Sequence, residues 1–183
     1  MSRRDEILDA SVAYVLQHGL IGLTLRPLAA EIGTSDRMLI YHFESRDSLV
    51  AAVVARIGDQ GTAALDAMPA APSVRSAVNR LWAAFQKDPL RRCQDVYLQA
   101  AATGLIGTEP HRTLARESNA RWTEALASYL RRSGAPPRRV HRIVTLVDSA
   151  LYGFHLDLAT DRPDELARGV DDLARAAQAL AIA

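Results

Sequence analysis

Apolar residues recur at intervals of three and four along almost the whole chain. Ile7, Leu8, Val12, Val15 and Leu16 fall on one face of a helix over residues 4–18, with Ser11 among them. The same period predicts helices over 24–33, 35–43, 45–68, 74–88, 90–105, 110–132, 138–160 and 164–181. No stretch alternates apolar and polar residues as a strand would, and no repeat is present. The pattern predicts an all-α fold of about nine helices.

The breaks between these segments have local causes. Gly19 and Gly33 can take backbone angles that larger residues resist. Thr24, Ser35 and Ser45 stand where a hydroxyl can cap the helix that follows, and Pro27 sits in a first turn, where its missing N–H costs nothing. Gly104 and Gly107 loosen the end of the sixth segment. Pro69–Ser73, Gly134–Pro137 and Asp161–Pro163 are loops by composition. Three short helices give way to long ones near residue 46. The expected organisation is therefore a small N-terminal domain over 1–46 and a larger helical domain over 47–183.

Residues 24–43 hold two short helices separated by a tight turn at Gly33, the pattern of a helix-turn-helix. Leu28, Ala29, Ile32 and Leu39 would pack on the first helix, Ala29 being small where two helices cross. The second of the pair then keeps an outer face of Ser35, Asp36, Arg37, Tyr41 and His42, all able to hydrogen-bond. A helix fits the DNA major groove, and its N-terminal residues reach base edges.

From Thr24 to Leu49 the text TLRPLAAEIGTSDRMLIYHFESRDSL resembles the DNA-binding region of the TetR (tetracycline-repressor-like) family of bacterial transcription regulators. The matching positions are Thr24, Leu28-Ala29, Gly33, Ser35, Leu39, Tyr41-His42-Phe43, and Ser45-Arg46-Asp47 before Leu49. The order of short and long helices resembles the family as well. Where the family usually has Gly-Thr-Leu-Tyr, this chain has Arg37-Met38-Leu39-Ile40, so a tyrosine that often touches phosphate is replaced by Ile40. The usual lysine after Ser45 is Arg46, a better bidentate phosphate donor. The resemblance thus implies the docking mode but not the base code.

The implied roles follow residue by residue, each beside a structural alternative. Arg37 is expected to contact a base, guanine O6 and N7 for instance, or else to be a solvated arginine. Tyr41 and His42 are expected at phosphate and base, unless one ring packs on the first helix. Arg26 would reach base or phosphate. Asp36 could accept from cytosine N4 or cap its helix, and Met38 could meet a thymine methyl or fill space. Phe43 reads as core. Thr24, Ser35, Arg4 and Arg46 complete the expected DNA-binding set. Residues 1–46 carry five arginines and six acids, an unusual balance for a DNA reader. Arg3, Arg4, Arg26, Arg37 and Arg46 would have to share one face.

For the larger domain the resemblance implies a homodimer that binds a small-molecule effector. Val144, Val147, Leu151, Phe154 and Leu158 make one coiled-coil-like seam, and Leu166, Val170, Leu173, Ala177 and Leu180 another. Paired across a two-fold axis they would give a four-helix interface. The alternative is that they close the monomer's own core. Trp82, Phe85, Tyr97, Trp122, Tyr129 and Phe154 are candidates for the effector pocket. His141, Thr145, Asp148, Tyr152 and His155 form a polar line on the eighth helix, from which Asp148, Tyr152 or His155 would supply polar contacts. The resemblance implies a repressor released from a palindromic operator when the fourth helix, which joins reader to pocket, changes tilt.

The remaining composition mostly excludes. Net charge is +1 and says little about partners, while a hydrophobic fraction of 49% is enough for a core. A single cysteine, Cys93, excludes an intrachain disulfide and a cysteine zinc cluster. With no leader-like or membrane-length apolar run, a cytoplasmic protein is expected. No phosphate loop, HExxH, GxSxG or Glu-x-x-His pair is present, so neither an enzyme nor a bound metal or other cofactor is expected. A helical interaction module without DNA binding stays as the alternative function.

Overall fold

The computed structural model describes residues 2–105 and 111–183, whose regular elements are all helices. In chain order the helices are α1 (Arg3–His18), α2 (Leu25–Glu31), α3 (Asp36–Phe43), α4 (Arg46–Asp66), α5 (Val74–Phe85), α6 (Leu90–Leu105), α7 (His111–Arg132), α8 (Val140–Asp157) and α9 (Pro163–Ile182). These are the nine segments the apolar period predicts, with ends displaced by a few residues. The expectations placed on Gly107 and Pro110 lie outside the described residues.

Packing divides the chain into two compact units, Met1–Gly61 with Arg91–Ala120, and Thr62–Leu90 with Arg121–Ala183. The division falls inside α4, after the first residue of α6 and inside α7 rather than at residue 46. Its cause is visible in the first unit's core. Cys93, Val96 and Ala100 of α6 are buried in one cluster with Val53, Val54 and Ile57 of α4 and with the helix-turn-helix core. Cys93 is a packing residue: a Cβ placed on Gly61 would lie 3.5 Å from the Cys93 Cβ, so α4 and α6 approach closely there.

Within the first unit, α1 begins with a reciprocal cap. The Ser2 hydroxyl accepts from the Asp5 amide and the Asp5 carboxylate accepts from the Ser2 amide. Ile7, Leu8, Val12 and Val15 of α1 are buried with Leu28, Ala29, Leu39 and Phe43. Burying a leucine as completely as Leu28 or Leu39 stabilises the fold by roughly 1.5–3 kcal/mol each. Ile32, expected in this core, is half-buried at its edge. The turn between α2 and α3 closes through Gly33, whose φ of +70° is reached without penalty only by glycine. The Thr34 amide donates back to the Ala29 carbonyl at 2.9 Å and completes it. Ser35 then caps α3, accepting from the Met38 amide, and Ser45 caps α4, accepting from the Ser48 amide at 3.0 Å. Thr24 occupies the cap position of α2 with extended backbone, but its hydroxyl makes no capping bond.

The second unit is built on α9, which packs against α5 and α8. Val170, Leu173, Ala174 and Ala177 of α9 share a cluster with Val74, Val78 and Leu81 of α5 and with Ile143, Val147 and Leu151 of α8. Pro163 opens α9, and Asp164 and Glu165 sit in its first turn on the favourable end of the helix dipole. Gly169 lets α8 come close: a Cβ there would stand 2.8 Å from the Phe154 ring. Among the described residues no helix is long and apolar enough to cross a membrane.

Candidate functional site

Helix α3 has two unlike sides. Leu39 and Phe43 are buried, whereas Ser35, Asp36, Arg37, Met38, Ile40 and Tyr41 are exposed, Tyr41 to 76%. Arg26 and Thr24, at the start of α2, are exposed too. Among the described residues Arg26 and Arg37 have no acidic partner. His42 departs from this outward set. Its ring meets Tyr41 edge-on with centroids 5.1 Å apart, and its Nε2 is buried without a hydrogen-bond partner. Of the closing rings Tyr41 alone is exposed.

Two of the expected DNA-facing arginines hold the reader together. Arg4 Nε donates to the His42 carbonyl at 3.3 Å, and its guanidinium lies 4.7 Å from the centre of the Phe43 ring. Arg46 donates through Nε (3.1 Å) and Nη2 (2.8 Å) to the Leu23 carbonyl, and its Nη1 reaches Asp47 at 3.3 Å. Both side chains remain partly open to solvent. They fix the ends of the helix-turn-helix whatever else they touch.

The awkward charge balance of residues 1–46 also has a local explanation. Glu6 pairs with Arg3 at 2.9 Å, Glu31 with His18 at 3.0 Å, and Asp9 with Arg56. Asp5 is taken up by the Ser2 cap, whose hydrogen bonds hold its carboxyl below the usual carboxylate range. Among the described residues the acids of this stretch without a cationic partner are Asp36, within the exposed face of α3, and Glu44 just after it. Arg56, counted in no tally of arginines up to residue 46, neutralises one of these acids, and the His18 ring hydrogen-bonds another.

In the second unit, the candidate effector residues separate into groups. Trp122 donates its indole N–H to Asp148 Oδ1 at 2.7 Å. The Phe85 ring lies 5.8 Å from that of Trp122, tilted by 42°. Trp82 meets Phe154 edge-on at 6.2 Å. Tyr129 is fully buried, with its hydroxyl donating to the Ala77 carbonyl at 3.4 Å, so it is a structural core residue. Tyr97 belongs to the first unit, where its hydroxyl bonds Asn119 Oδ1 at 3.3 Å. The polar line on α8 sinks inward along the helix. His141 and Thr145 are exposed, Asp148 and Tyr152 half-buried, and His155 buried. Burial pushes the Asp148 carboxyl up to about 6, with the Trp122 hydrogen bond pulling in the opposite direction.

The two apolar seams assigned to a second copy lie mostly inside the subunit. Val144, Val147 and Leu151 of α8 and Leu166, Val170, Leu173 and Ala177 of α9 are buried in the single chain. Phe154 and Leu180 pack partly against the same core, and Leu158 alone of the set is exposed. The reason is that α5 and α8 both lie on α9 and absorb its apolar stripe. The surface these two helices leave open carries Leu146 (36% exposed), Leu156 (59%) and Leu158 (39%) on α8 and Ile182 (78%) on α9. Periodicity favours the strongest seam, which is the core seam, and so passed over this weaker one.

Gln99 of α6 was also missed. Its side-chain oxygen accepts from the Leu20 and Ile21 amides at 2.7 and 2.9 Å, tying down the loop between α1 and α2. Nothing in the sequence marks that glutamine out from other polar helix residues. A surface groove of about 410 Å³ along α9 is lined by Ala167, Arg168, Asp171, Asp172 and Arg175, none of them a sequence-selected residue.

Comparison with known proteins agrees with this geometry. The sequence model described as bacterial regulatory proteins, tetR family, matches residues 7–53, which span α1 through the first third of α4. A TetR-family transcriptional regulator from Rhodococcus sp. superposes with a TM-score of 0.74 at 22% identity, covering 98% of both chains. The multidrug binding protein EbrR, complexed with proflavin, gives 0.69 at 24% identity over 95% of this chain and 99% of its own. A transcriptional regulator from Saccharomonospora viridis, in complex with choline, gives 0.68 at 21% identity over 94% of this chain and 95% of its own. No curated protein matches the chain. The sequence match covers the helix-turn-helix, and the helical plan is shared with these regulators from end to end.

Proposed function

We propose that the protein is a homodimeric repressor that occupies a palindromic operator in the cytoplasm and leaves it when a small molecule binds the second unit. The observation that carries the reading is the two-sidedness of α3. Leu39 and Phe43 anchor it, while Asp36, Arg37 and Tyr41 stand free on one surface with Arg26 nearby in sequence at the start of α2. Such a helix can lie in a major groove with its N-terminal residues at base edges. On this reading Arg37 contacts guanine, Arg26 and Tyr41 contact phosphate or base, and Met38 meets a thymine methyl. Asp36 is the residue that would reject a mismatched acceptor.

A helix-turn-helix reads two half-sites about 34–36 Å apart, which calls for two copies. The open leucines Leu146 and Leu156 on α8 support a pairing surface there, in place of the buried seams. The effector site is proposed around Trp122, Asp148 and Phe85, with Tyr152 one turn further along α8. Ligands held by the relatives, proflavin in EbrR and choline in the Saccharomonospora viridis regulator, support a small organic effector. Release needs only that the effector bind the non-operator conformation more tightly. Helix α4 is continuous from the end of the helix-turn-helix through the boundary at Gly61, and so can carry the change.

The test is selection of duplexes from a random pool, followed by anisotropy titration. The expected outcome is an inverted-repeat consensus bound by two copies, with affinity falling steeply as salt rises. Recovery of no consensus, or binding indifferent to salt, would defeat the reading.

A further inference from the structure

We infer that Ile40 reads the methyl group of a thymine in the operator, from the flank of α3 opposite the one that carries Met38. This deepens the operator reading above and rests on it.

Exposed apolar side chains are concentrated on α3. Among the described residues of the first unit, the large apolar side chains left exposed are Ile21, Met38, Ile40, Tyr41 and Leu105. Three of these five stand within four consecutive positions of an eight-residue helix. A lone exposed isoleucine needs no explanation, but a group of apolar side chains on one short helix marks a contact surface. Ile40 is 39% exposed and Met38 38%, whereas Leu25 and Ile32 pack at the edge of the helix-turn-helix core.

Successive residues of a helix are turned by about 100°. Leu39 and Phe43 point inward, so Arg37 and Tyr41, four apart, hold the middle of the outer face. Met38 and Ile40 lie on either side of that line. When such a helix occupies a major groove, its middle line meets the groove floor and its flanks face the two strands. An isoleucine pressed on phosphate would strip water from the oxygens and return no hydrogen bond. The one alkyl group that base pairs present in this groove is the thymine C5 methyl. It projects from the base toward its own strand, which is the side a flanking residue meets. Isoleucine suits a fixed target, because its branched Cβ leaves few rotamers to lose, while methionine is flexible and adapts. The competing explanation is that Ile40 rests on a deoxyribose, which carries no sequence information. Deoxyuridine separates the two, since it lacks the methyl and keeps both the sugar and the pairing.

The experiment is anisotropy titration of the intact protein with the consensus duplex recovered by selection, in which each thymine is replaced in turn by deoxyuridine in both half-sites. At the position that Ile40 reads, the wild type is expected to lose about fourfold per half-site, the burial of one methyl, or about 15-fold for both. Ile40→Ala should feel that replacement by less than about twofold, while Ile40→Val, which keeps the branched Cβ, should retain most of the sensitivity. A thermal melt of each variant checks that it is folded. A consensus in which no deoxyuridine replacement is felt would overturn the inference. So would a sensitivity that survives intact in Ile40→Ala, or an Ile40→Ala that weakens consensus and random duplex alike. Recovery of no consensus at all would defeat the operator reading itself.

Discussion

Arg4 and Phe43, at opposite ends of the helix-turn-helix unit in sequence, are stacked, with the guanidinium carbon 4.7 Å from the ring centre. The same arginine donates to the His42 carbonyl in the last turn of α3, where a cation also meets the negative end of the helix dipole. Its removal should therefore loosen α3. Arg4→Ala is expected to lower stability by about 0.5–1 kcal/mol and to weaken operator binding while leaving the salt dependence almost unchanged. Were the side chain a phosphate contact instead, the log–log salt slope would fall by about one. Anisotropy titrations at several salt concentrations separate the two.

Arg37 should behave in the opposite way. It is exposed, has no acidic partner among the described residues and stands in the first turn of α3. Arg37→Ala is expected to cost about 1–3 kcal/mol on the best operator and to relax one base position in each half-site, with thermal stability unchanged. Equal loss on operator and random duplex would assign it to the backbone.

The oligomer prediction turns on which leucines and valines are open. Leu156→Glu places a charge on an exposed apolar position of α8 and should yield monomers by sedimentation with the fold intact. Val147→Ala, at a fully buried position, should cost about 1–3 kcal/mol in stability and leave the oligomeric state alone. The reverse result would restore the buried seams as the interface.

Asp148 makes stability depend on pH in a definite direction. Its carboxyl is raised from 3.8 to about 6 in the folded chain. Below pH about 4 both folded and unfolded chains hold the proton. Between about 4 and 6 the unfolded chain releases it first, so stability falls as pH rises, by up to about 3 kcal/mol in all. Asp148→Asn removes that loss. It should melt higher than the wild type at neutral pH, with the difference shrinking to nothing near pH 4. Paired melting curves across this range check it, and coincident curves would show that the carboxyl is not shielded.

How much of this was legible in the sequence follows from what each feature depends on. The helices and the helix-turn-helix core depend on local period, caps and Gly33, and these are written in order along the chain. Leu28, Ala29, Leu39 and Phe43 could be placed because their partners lie within forty residues and the spacing leaves little choice. The seams of α8 and α9 were read correctly as apolar stripes but given to a second subunit. A stripe does not say whose surface covers it, and α5, distant in sequence, covers this one. Arg4 and Arg46 were likewise seen as cations near DNA, though a guanidinium facing a carbonyl cannot be told from one facing solvent without coordinates. Of the polar line on α8, the residue types gave the stripe. Only the fold shows that it runs from solvent at His141 to the interior at His155.

The Gln99 oxygen that accepts from Leu20 and Ile21 has a consequence for how the reader can be moved. One atom holds two successive amides, and Gly19 beside them has no side chain to obstruct it: a Cβ there would sit 3.0 Å from that oxygen. Sliding α6 along its own axis must therefore either drag the α1–α2 loop with it or weaken both bonds together. The two bonds hold or stretch together, so a displacement of α6 reaches the α1–α2 loop as one movement.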